Sequence, residues 1–593
     1  MKKPLTFWKA FFASLLAFVA FQIISFILGI MMLITMLASF SVSEPAVVVK
    51  DNSILKLELT GDIPDRKCDD PFANMGFLNA LSGKEMLSLE QIKTALSAAK
   101  DDPKIKGVHI ELLGVSAGYA SLKEVRDAIL DFKTSGKFVY AYGDAYAQSD
   151  YYLASAADSV FLHNEGLVEI KGLSAQFVSY KKFMEKIGVD MQIIRHGKFK
   201  AAVEPFFLEK MSEENRLQTQ KYIDGIWGIV SKEIAGARHC SVEDFDKIID
   251  QNPFCNAKDA VALGLIDRTV SRIDVTELLM ASVGVEKEKN LKEIGISAYA
   301  KQAKLQDNNK SKNRIAVIYA NGEIKNGDGD DQTIADNIVD AIHDAVNNDK
   351  VKAIVLRVNS PGGSALQSEF IYDEIIRAKA KKPVVASFAN YAASGGYYIS
   401  CACNYIVCNP NCLTGSIGVF GTIPNAQKLV SDKLGFKFET VNTNEHSDFM
   451  SAVRPMTDFE RAKMQNHVEQ TYDVFISHVA DGRGKTKEAI DEIGQGRVWA
   501  GVDALEIGLI DQFGTLDDAI AKAVELAEVE DYKLVALPKA DDFMTKFLKK
   551  SGSIKQQVLI NEMGDFYKLY QTAKNVSEQS GVQARLPYYI VVR

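Results

Sequence analysis

The chain has no excess of positive charge and lacks several short motifs that identify common enzyme classes. Its 69 lysines and arginines are outnumbered by 77 aspartates and glutamates, so the net charge is −8. Because no basic stripe is available to neutralise phosphates, we expect no nucleic-acid partner. The sequence also contains no HExxH motif, P-loop or dinucleotide-binding fingerprint. These absences argue against a zinc protease, a P-loop NTPase and a dinucleotide-dependent enzyme.

Cysteine is scarce, and its odd count of seven excludes complete internal pairing. Four of the seven crowd together as Cys401, Cys403, Cys408 and Cys412. Their spacing differs from the paired C-x2-C form of zinc sites, and no histidine accompanies them. We therefore predict small core residues and no metal site. If the compartment is oxidising, one disulfide bond among these four cysteines remains an alternative.

Long hydrophobic runs are lacking too, with one exception at the N-terminus. Residues 10–43 carry no formal charge. This run exceeds the roughly 20 residues needed to span a bilayer, and also the about 7–15 apolar residues of a cleavable signal peptide. Three lysines precede it, and none follows until Lys50, which predicts a cytoplasmic N-terminus. We expect a retained, single-pass anchor in an inner membrane, with the remaining chain on the outer side.

The sequence repeats itself at an offset of about 246 residues. Ile105–Ile110 aligns with Val351–Leu356, and Tyr151–Ala156 aligns with Tyr397–Ala402. Such self-similarity predicts two copies of one structural unit. Strand, turn and helix patterns alternate within each copy, which is typical of an α/β fold.

Two strand–turn–helix segments of the second copy end on glycines. A buried-strand pattern leads to Ser394, which is followed by Gly395, Gly396 and a helix start; such a turn lifts a hydroxyl out of a sheet. Upstream, Pro361–Gly363 separates another strand from a helix, where backbone N–H groups can face a developing oxyanion. Either feature alone is typical of an ordinary structural turn or a helix cap.

Comparison of the two copies strengthens the functional interpretation. At the same offset, the first copy has Gln148 in place of Ser394 and lacks the diglycine. Conversely, the first copy contains Lys200 where the second has Met450. One copy thus keeps a serine and the other a lysine, and we predict that the two side chains meet. A lysine can act as a base at neutral pH if burial lowers its pKa.

Four motifs together resemble the signal peptide peptidases of the protease IV type, in the long two-repeat bacterial form. They are KFKAAVEPF, NSPGGS, NYAASGGYYIS and LTGSIGVFG. The resemblance covers the chain from the anchor to about residue 540. It implies tandem crotonase-like (Clp protease-like) α/β domains behind an N-terminal transmembrane helix. It also implies a Ser-Lys endopeptidase that degrades signal peptides remaining in the membrane after their release.

The resemblance assigns roles to individual residues. Ser394 matches the nucleophile, Lys200 the general base and Ser416 the serine that orients the lysine amine. The N–H groups of Gly363 and Gly395 match the oxyanion hole. No metal or organic cofactor is implied. Lys198, two residues from Lys200, is the rival base, since alternate residues of an extended segment share a face.

The repeat and the resemblance together divide the chain into five parts. We expect an N-terminus and anchor at 1–45, a lysine-bearing repeat at 46–290, a linker at 291–313, a serine-bearing repeat at 314–540 and a helical tail at 541–593. The implied partners are apolar peptides (cleaved signal peptides), the inner membrane and further copies of the chain in a homotetramer. The implied location is the periplasmic side of a bacterial inner membrane.

Three alternatives stay open at this point. A Ser-His-Asp triad would need one of the eight histidines, of which His196 lies nearest to the lysine motif. The same fold would also serve an acyl-CoA enzyme, although an external, membrane-anchored location disfavours it. A catalytically inactive scaffold of membrane quality control would need neither the serine nor the lysine.

Overall fold

The computed structural model describes residues 48–66, 86–306, 309–330, 332–539 and 582–586, with isolated helical residues between 11 and 31. Met1–Val49 and Lys50–Arg593 form separate compact units, and the description below concerns the second. Most of the predicted anchor at 10–43 lies outside the described residues. Among the residues that are described, no helix is both long and apolar enough to cross a membrane.

Twenty-two strands are described, numbered here in chain order. They are β1 (Ser53–Gly61), β2 (Ile105–Val115), β3 (Phe138–Gly143), β4 (Ser159–Leu162), β5 (Leu167–Glu169), β6 (Asp190–Arg195), β7 (Phe254–Asn256), β8 (Arg268–Thr269), β9 (Glu293–Gly295), β10 (Arg314–Asn321), β11 (Glu323–Ile324), β12 (Thr333–Ile334), β13 (Val351–Ser360), β14 (Gly362–Ser364), β15 (Val384–Ala393), β16 (Tyr405–Cys408), β17 (Leu413–Gly415), β18 (Phe420–Asn425), β19 (Val498–Ala500), β20 (Gln512–Phe513), β21 (Lys533–Leu537) and β22 (Val582–Arg585).

Helices connect most of these strands. The α-helices are Leu89–Asp101, Tyr119–Lys133, Gln148–Ala154, Lys181–Ile187, Glu204–Phe207, Glu213–Ala237, Val242–Gln251, Ala257–Ala262, Arg272–Val283, Ile296–Gln306, Asp336–Asn347, Ala365–Lys379, Gly395–Tyr398, Asp458–Arg483, Lys487–Ile493, Gly501–Glu506 and Leu516–Leu526. Shorter turns of 3₁₀-helix occur at Ala201–Val203 and Glu288–Asn290, and a π-helical segment at Lys428–Lys433. Parallel strands need such crossover connections.

The two repeats are visible as two sheets of the same strand order. The first sheet runs β8-β4-β3-β2-β1-β9, and the second contains the path β20-β16-β15-β13-β10-β21. Every neighbouring pair along both paths is parallel. In the second repeat, β17 and β19 extend the sheet beyond β15. The internal duplication predicted from the sequence is thereby confirmed.

Apolar side chains on both faces explain why the central strands lie inside. Ile54, Leu55 and Leu57 of β1 are all buried, and so are Val355 and Leu356 of β13. Parallel sheets carry helices on both faces, so their strands are nearly continuous apolar runs.

A third sheet joins the two repeats. Its order is β12-β11-β14-β22-β18-β6. Within it, β6 of the first repeat pairs antiparallel with β18 of the second, with Arg195 opposite Phe420. This pairing places the residues that follow β6 against the second repeat. A separate pair, β5 and β7, is antiparallel.

A buried ion cluster also holds the repeats together. The Arg357 guanidinium lies 2.8 Å from the Asp65 carboxylate and 2.7 Å from the Glu124 carboxylate. The Lys93 amine lies 3.0 Å from Glu124. Burial alone would raise the pKa of Glu124, but the charges of Arg357 and Lys93 lower it to about 2. A buried charge is tolerated only when it is paired in this way.

Two segments differ in structure from the sequence-based expectation. Within the segment expected to be a linker (291–313), Glu293–Gly295 pairs with β1 and Ile296–Gln306 is helical, so the first sheet extends past residue 290. The apolar residues Ile294 and Ile296 are buried there. The tail expected to be helical lies mostly outside the described residues, and its described part, β22, is a strand paired on both sides.

Candidate active site

Ser394 lies at a sharp turn between β15 and the helix Gly395–Tyr398. Its φ is +55° and its ψ is −114°, a conformation that a residue with a side chain rarely adopts. Its N–H donates to the Gly415 carbonyl at 2.8 Å, which ties the turn to the neighbouring strand β17. The side chain is fully buried. Such local strain is characteristic of functional positions.

The two glycines after β13 approach this serine turn closely. Gly362 has a φ of +96°, and a methyl group added there would lie 2.7 Å from the Gly395 nitrogen. A methyl group at Gly363 would lie 2.0 Å from the Ile324 carbonyl oxygen. Both positions therefore require glycine. The structure brings the backbone of Pro361–Gly363 against Gly395.

Lys200 reaches the serine from the first repeat. The pairing of β6 with β18 ends at Arg195, and the Phe199 N–H then donates to the Gln495 carbonyl at 3.1 Å. The Lys200 side chain is fully buried. Its amine donates to Ser394 Oγ at 2.8 Å, although the two residues are 194 positions apart. The contact forms within a single chain.

Burial determines the protonation behaviour of this amine. Removal of the charged form from water lowers the pKa of Lys200 well below its usual value. The surrounding backbone packs closely around the aliphatic part of the Lys200 side chain. A methyl group at Gly496 would lie 2.6 Å from Lys200 Cβ, and one at Gly418 would lie 3.3 Å from its Cδ. A neutral amine beside a hydroxyl can accept that hydroxyl's proton.

Ser416 completes the set of groups around the amine. Lys200 Nζ lies 3.0 Å from Ser416 Oγ and 3.0 Å from its carbonyl oxygen. Ser416 also has a positive φ, +51°, and its N–H donates to the Arg497 carbonyl at 2.7 Å. The structure thus places all five residues singled out by the sequence in one buried cluster or directly beside it.

The rival residues lie elsewhere. Lys198 is exposed, and its amine lies 5.5 Å from the centre of the Phe199 ring. His196 stacks on Tyr472 and hydrogen-bonds to Glu469. Within the described residues, the hydrogen bond to Ser394 Oγ comes from Lys200 and none involves a histidine.

Gln218 supports the lysine loop and was not found by sequence reasoning. Its side chain is buried, donates to the Phe199 carbonyl at 3.1 Å and accepts from the Val498 N–H at 3.0 Å. It therefore connects the residue before Lys200 with the second repeat. No local motif marks this glutamine, which lies in the second turn of the long helix Glu213–Ala237.

The four clustered cysteines are buried free thiols. Burial raises the pKa of Cys401, and it raises the pKa of Cys403 to about 12. The described residues include no group of histidine, cysteine or acidic side chains arranged to hold a metal ion.

Known families match the chain over both repeats. The profile of peptidase family S49 matches residues 131–286 and 376–530. The chain belongs to peptidase family S49. A Clp protease profile matches residues 306–413, which agrees with a Clp protease-like fold. The two S49 matches cover corresponding parts of the two sheets, so each repeat is an S49 domain.

Relatives extend the similarity to most of the chain. It is 38% identical to Protease 4 of Salmonella typhi over 458 residues, which is 75% of this chain and 73% of that protein. It is 34% identical to Protease 4 of Haemophilus influenzae over 523 residues, 84% of this chain and 83% of that protein. The chloroplastic serine protease SPPA of Arabidopsis thaliana is 32% identical over 496 residues, 82% of this chain and 71% of that protein. This S49 member is therefore a serine protease of the SppA type.

Proposed function

We propose that this S49 protease is an endopeptidase that uses a Ser-Lys dyad. Ser394 is the nucleophile, Lys200 the general base, and Ser416 the residue that positions the lysine amine. The N–H groups of Gly363 and Gly395 receive the oxyanion. The observation that carries the proposal is the 2.8 Å hydrogen bond between a fully buried lysine amine and the hydroxyl of a strained serine.

The proposed reaction proceeds in two stages. Neutral Lys200 takes the Ser394 proton as the hydroxyl attacks the peptide carbonyl, and the protonated amine then gives that proton to the leaving nitrogen. Water subsequently attacks the acyl-serine, with Lys200 again serving as the base. Each backbone donor to the oxyanion contributes about 3–4 kcal/mol in comparable enzymes.

We propose that the substrates are apolar peptides, in particular cleaved signal peptides remaining in the membrane. The uncharged run at 10–43 supports a single-pass anchor in a bacterial inner membrane, with the repeats on the periplasmic side. An anchor would keep the site near such peptides. The resemblance to the long protease IV form supports a homotetramer.

A probe experiment tests the assignment of the dyad. The full chain is purified in detergent and treated with a serine-directed acylating reagent, and cleavage of a fluorogenic apolar peptide is measured in parallel. We expect labelling and cleavage in the wild type and neither in Ser394→Ala. Absence of labelling and cleavage in the wild type would favour the inactive scaffold. Labelling that persists in Ser394→Ala would remove this serine from the mechanism.

A further inference from the structure

The C-terminal strand β22 lies beside the catalytic cluster. It runs between β14, which carries the diglycine, and β18, and it pairs antiparallel with both. We call the channel between β14 and β18 the peptide groove. Addition of an extended peptide to open sheet edges is a common way in which proteins bind peptides. The strand β22 is therefore held in the groove by the same backbone pairing that would hold a bound peptide substrate.

The register places one carbonyl group of β22 at the oxyanion donors. The Leu586 N–H donates to the Pro361 carbonyl at 2.7 Å. Hydrogen-bonded pairs alternate along antiparallel strands, so the next such pair joins Ala584 with Gly363. The Gly363 N–H therefore faces the Ala584 carbonyl oxygen.

Contacts with the serine turn agree with this register. A methyl group added at Gly362 would lie 2.2 Å from the Ala584 oxygen and 2.7 Å from the Gly395 nitrogen. A methyl group at Gly395 would lie 3.1 Å from the same oxygen. The Ala584 carbonyl thus sits beside the backbone of both glycines assigned to the oxyanion hole, next to Ser394.

The side chains at Ala584 and Leu586 lie in enclosed sites. Ala584 is 0% exposed and Leu586 is 3% exposed. The Arg585 guanidinium lies 2.7 Å from the Glu323 carboxylate. The peptide bond whose carbonyl faces the oxyanion donors joins Ala584 to Arg585. The small, buried Ala584 precedes this bond, and Arg585, which is paired with Glu323, follows it.

We infer that β22 is a built-in substrate and that Ser394 cleaves the chain between Ala584 and Arg585. This inference rests on the proposed Ser-Lys mechanism. Ser394 Oγ bonds to the Ala584 carbonyl carbon while Lys200 takes its proton. The carbon–nitrogen bond to Arg585 then breaks, and Lys200 returns the proton to that nitrogen. Water hydrolyses the acyl-serine, which releases Arg585–Arg593 and leaves Ala584 as the new C-terminus.

Intact-mass spectrometry of the full-length enzyme tests the inference. The wild type is expected to lose Arg585–Arg593, whereas Ser394→Ala retains the complete chain. Ala584→Phe should slow the loss by at least about tenfold, because the buried alanine site has no room for a ring. Ala584→Ser is the matched control and should still be processed.

The fluorogenic peptide assay separates failure of this inference from failure of the dyad. A wild type that cleaves the peptide but keeps its full mass overturns self-cleavage and leaves the dyad standing. Loss of a different C-terminal fragment, or processing of Ala584→Phe at the wild-type rate, overturns the register. A wild type that neither cleaves the peptide nor reacts with the acylating probe overturns the dyad and, with it, this inference.

Discussion

Replacement of Lys200 by methionine tests the dyad with little change in shape. Methionine is close to lysine in length and volume, so the replacement neither opens a cavity nor overpacks the site. The substitution removes the amine that now lies 2.8 Å from Ser394 Oγ and 3.0 Å from both Ser416 oxygens. The nucleophile is left in place without a base.

Loss of activity should be far larger than any structural effect. General acid–base groups contribute about 10²–10⁴-fold, and members of catalytic units in serine proteases up to about 10⁶-fold. We expect kcat/KM to fall by at least about 10³-fold, which corresponds to about 4 kcal/mol of transition-state stabilisation.

The stability of the Lys200→Met protein should stay near that of the wild type. Loss of a donor to buried oxygens costs about 1–3 kcal/mol. Removal of a buried amine offsets part of that cost, since burial disfavours its charged form and lowers its pKa. We therefore expect the free energy of unfolding to change by less than about 2 kcal/mol.

The assay compares peptide cleavage and urea unfolding for Lys200→Met and Lys198→Met. Lys198 is exposed and lies in the same loop, so its variant should keep activity within about twofold because surface substitutions have small effects. Retention of more than about a tenth of wild-type kcat/KM in Lys200→Met would refute the reasoning, because loss of a general base removes far more. An equal loss in Lys198→Met would refute it as well.

Three further outcomes follow from the buried groups. Because only the neutral amine accepts a proton and burial lowers the pKa of Lys200, kcat/KM should rise with pH and level off well below pH 10.5; a pH–rate profile checks this. Ser416→Ala should lower kcat/KM by about 5–150-fold through loss of a hydrogen bond and move the profile to lower pH, because that oxygen accepts from the charged amine. Glu124→Gln should destabilise the fold by about 3–5 kcal/mol at pH 7 in denaturant titrations, since it breaks a buried ion cluster. The pKa of Glu124 is lowered from 4.5 to about 2, so its stabilisation of the wild type is complete above pH 4.5 and is lost towards pH 2.

Each of these outcomes has a contrary result. A flat pH–rate profile up to pH 10 would mean that Lys200 does not act as the base. An unshifted profile with reduced activity in Ser416→Ala would indicate a purely structural role. Wild-type stability and acid sensitivity in Glu124→Gln would show that the Arg357 cluster does not hold the repeats together.

Much of the fold followed from local patterns. The offset of about 246 residues predicted two copies of one sheet, and the strand orders agree. Continuous apolar runs marked β13 and β15 as buried strands. Ile296–Gln306 was missed as a helix of the first repeat because its polar, lysine-rich neighbourhood is also typical of linkers. The pairing of β22 carries no local signal, since it depends on edges supplied by β14 and β18.

The sequence by itself determined which groups are available: a serine in a small-residue turn, a lysine in the opposite copy, and glycines where backbones approach closely. Only the tertiary structure decided that they meet within one chain, across 194 residues, because the pairing of β6 with β18 carries the lysine loop into the second repeat. Tertiary packing likewise decided the pKa of the amine, since the shift comes from burial and burial is a property of the assembled fold.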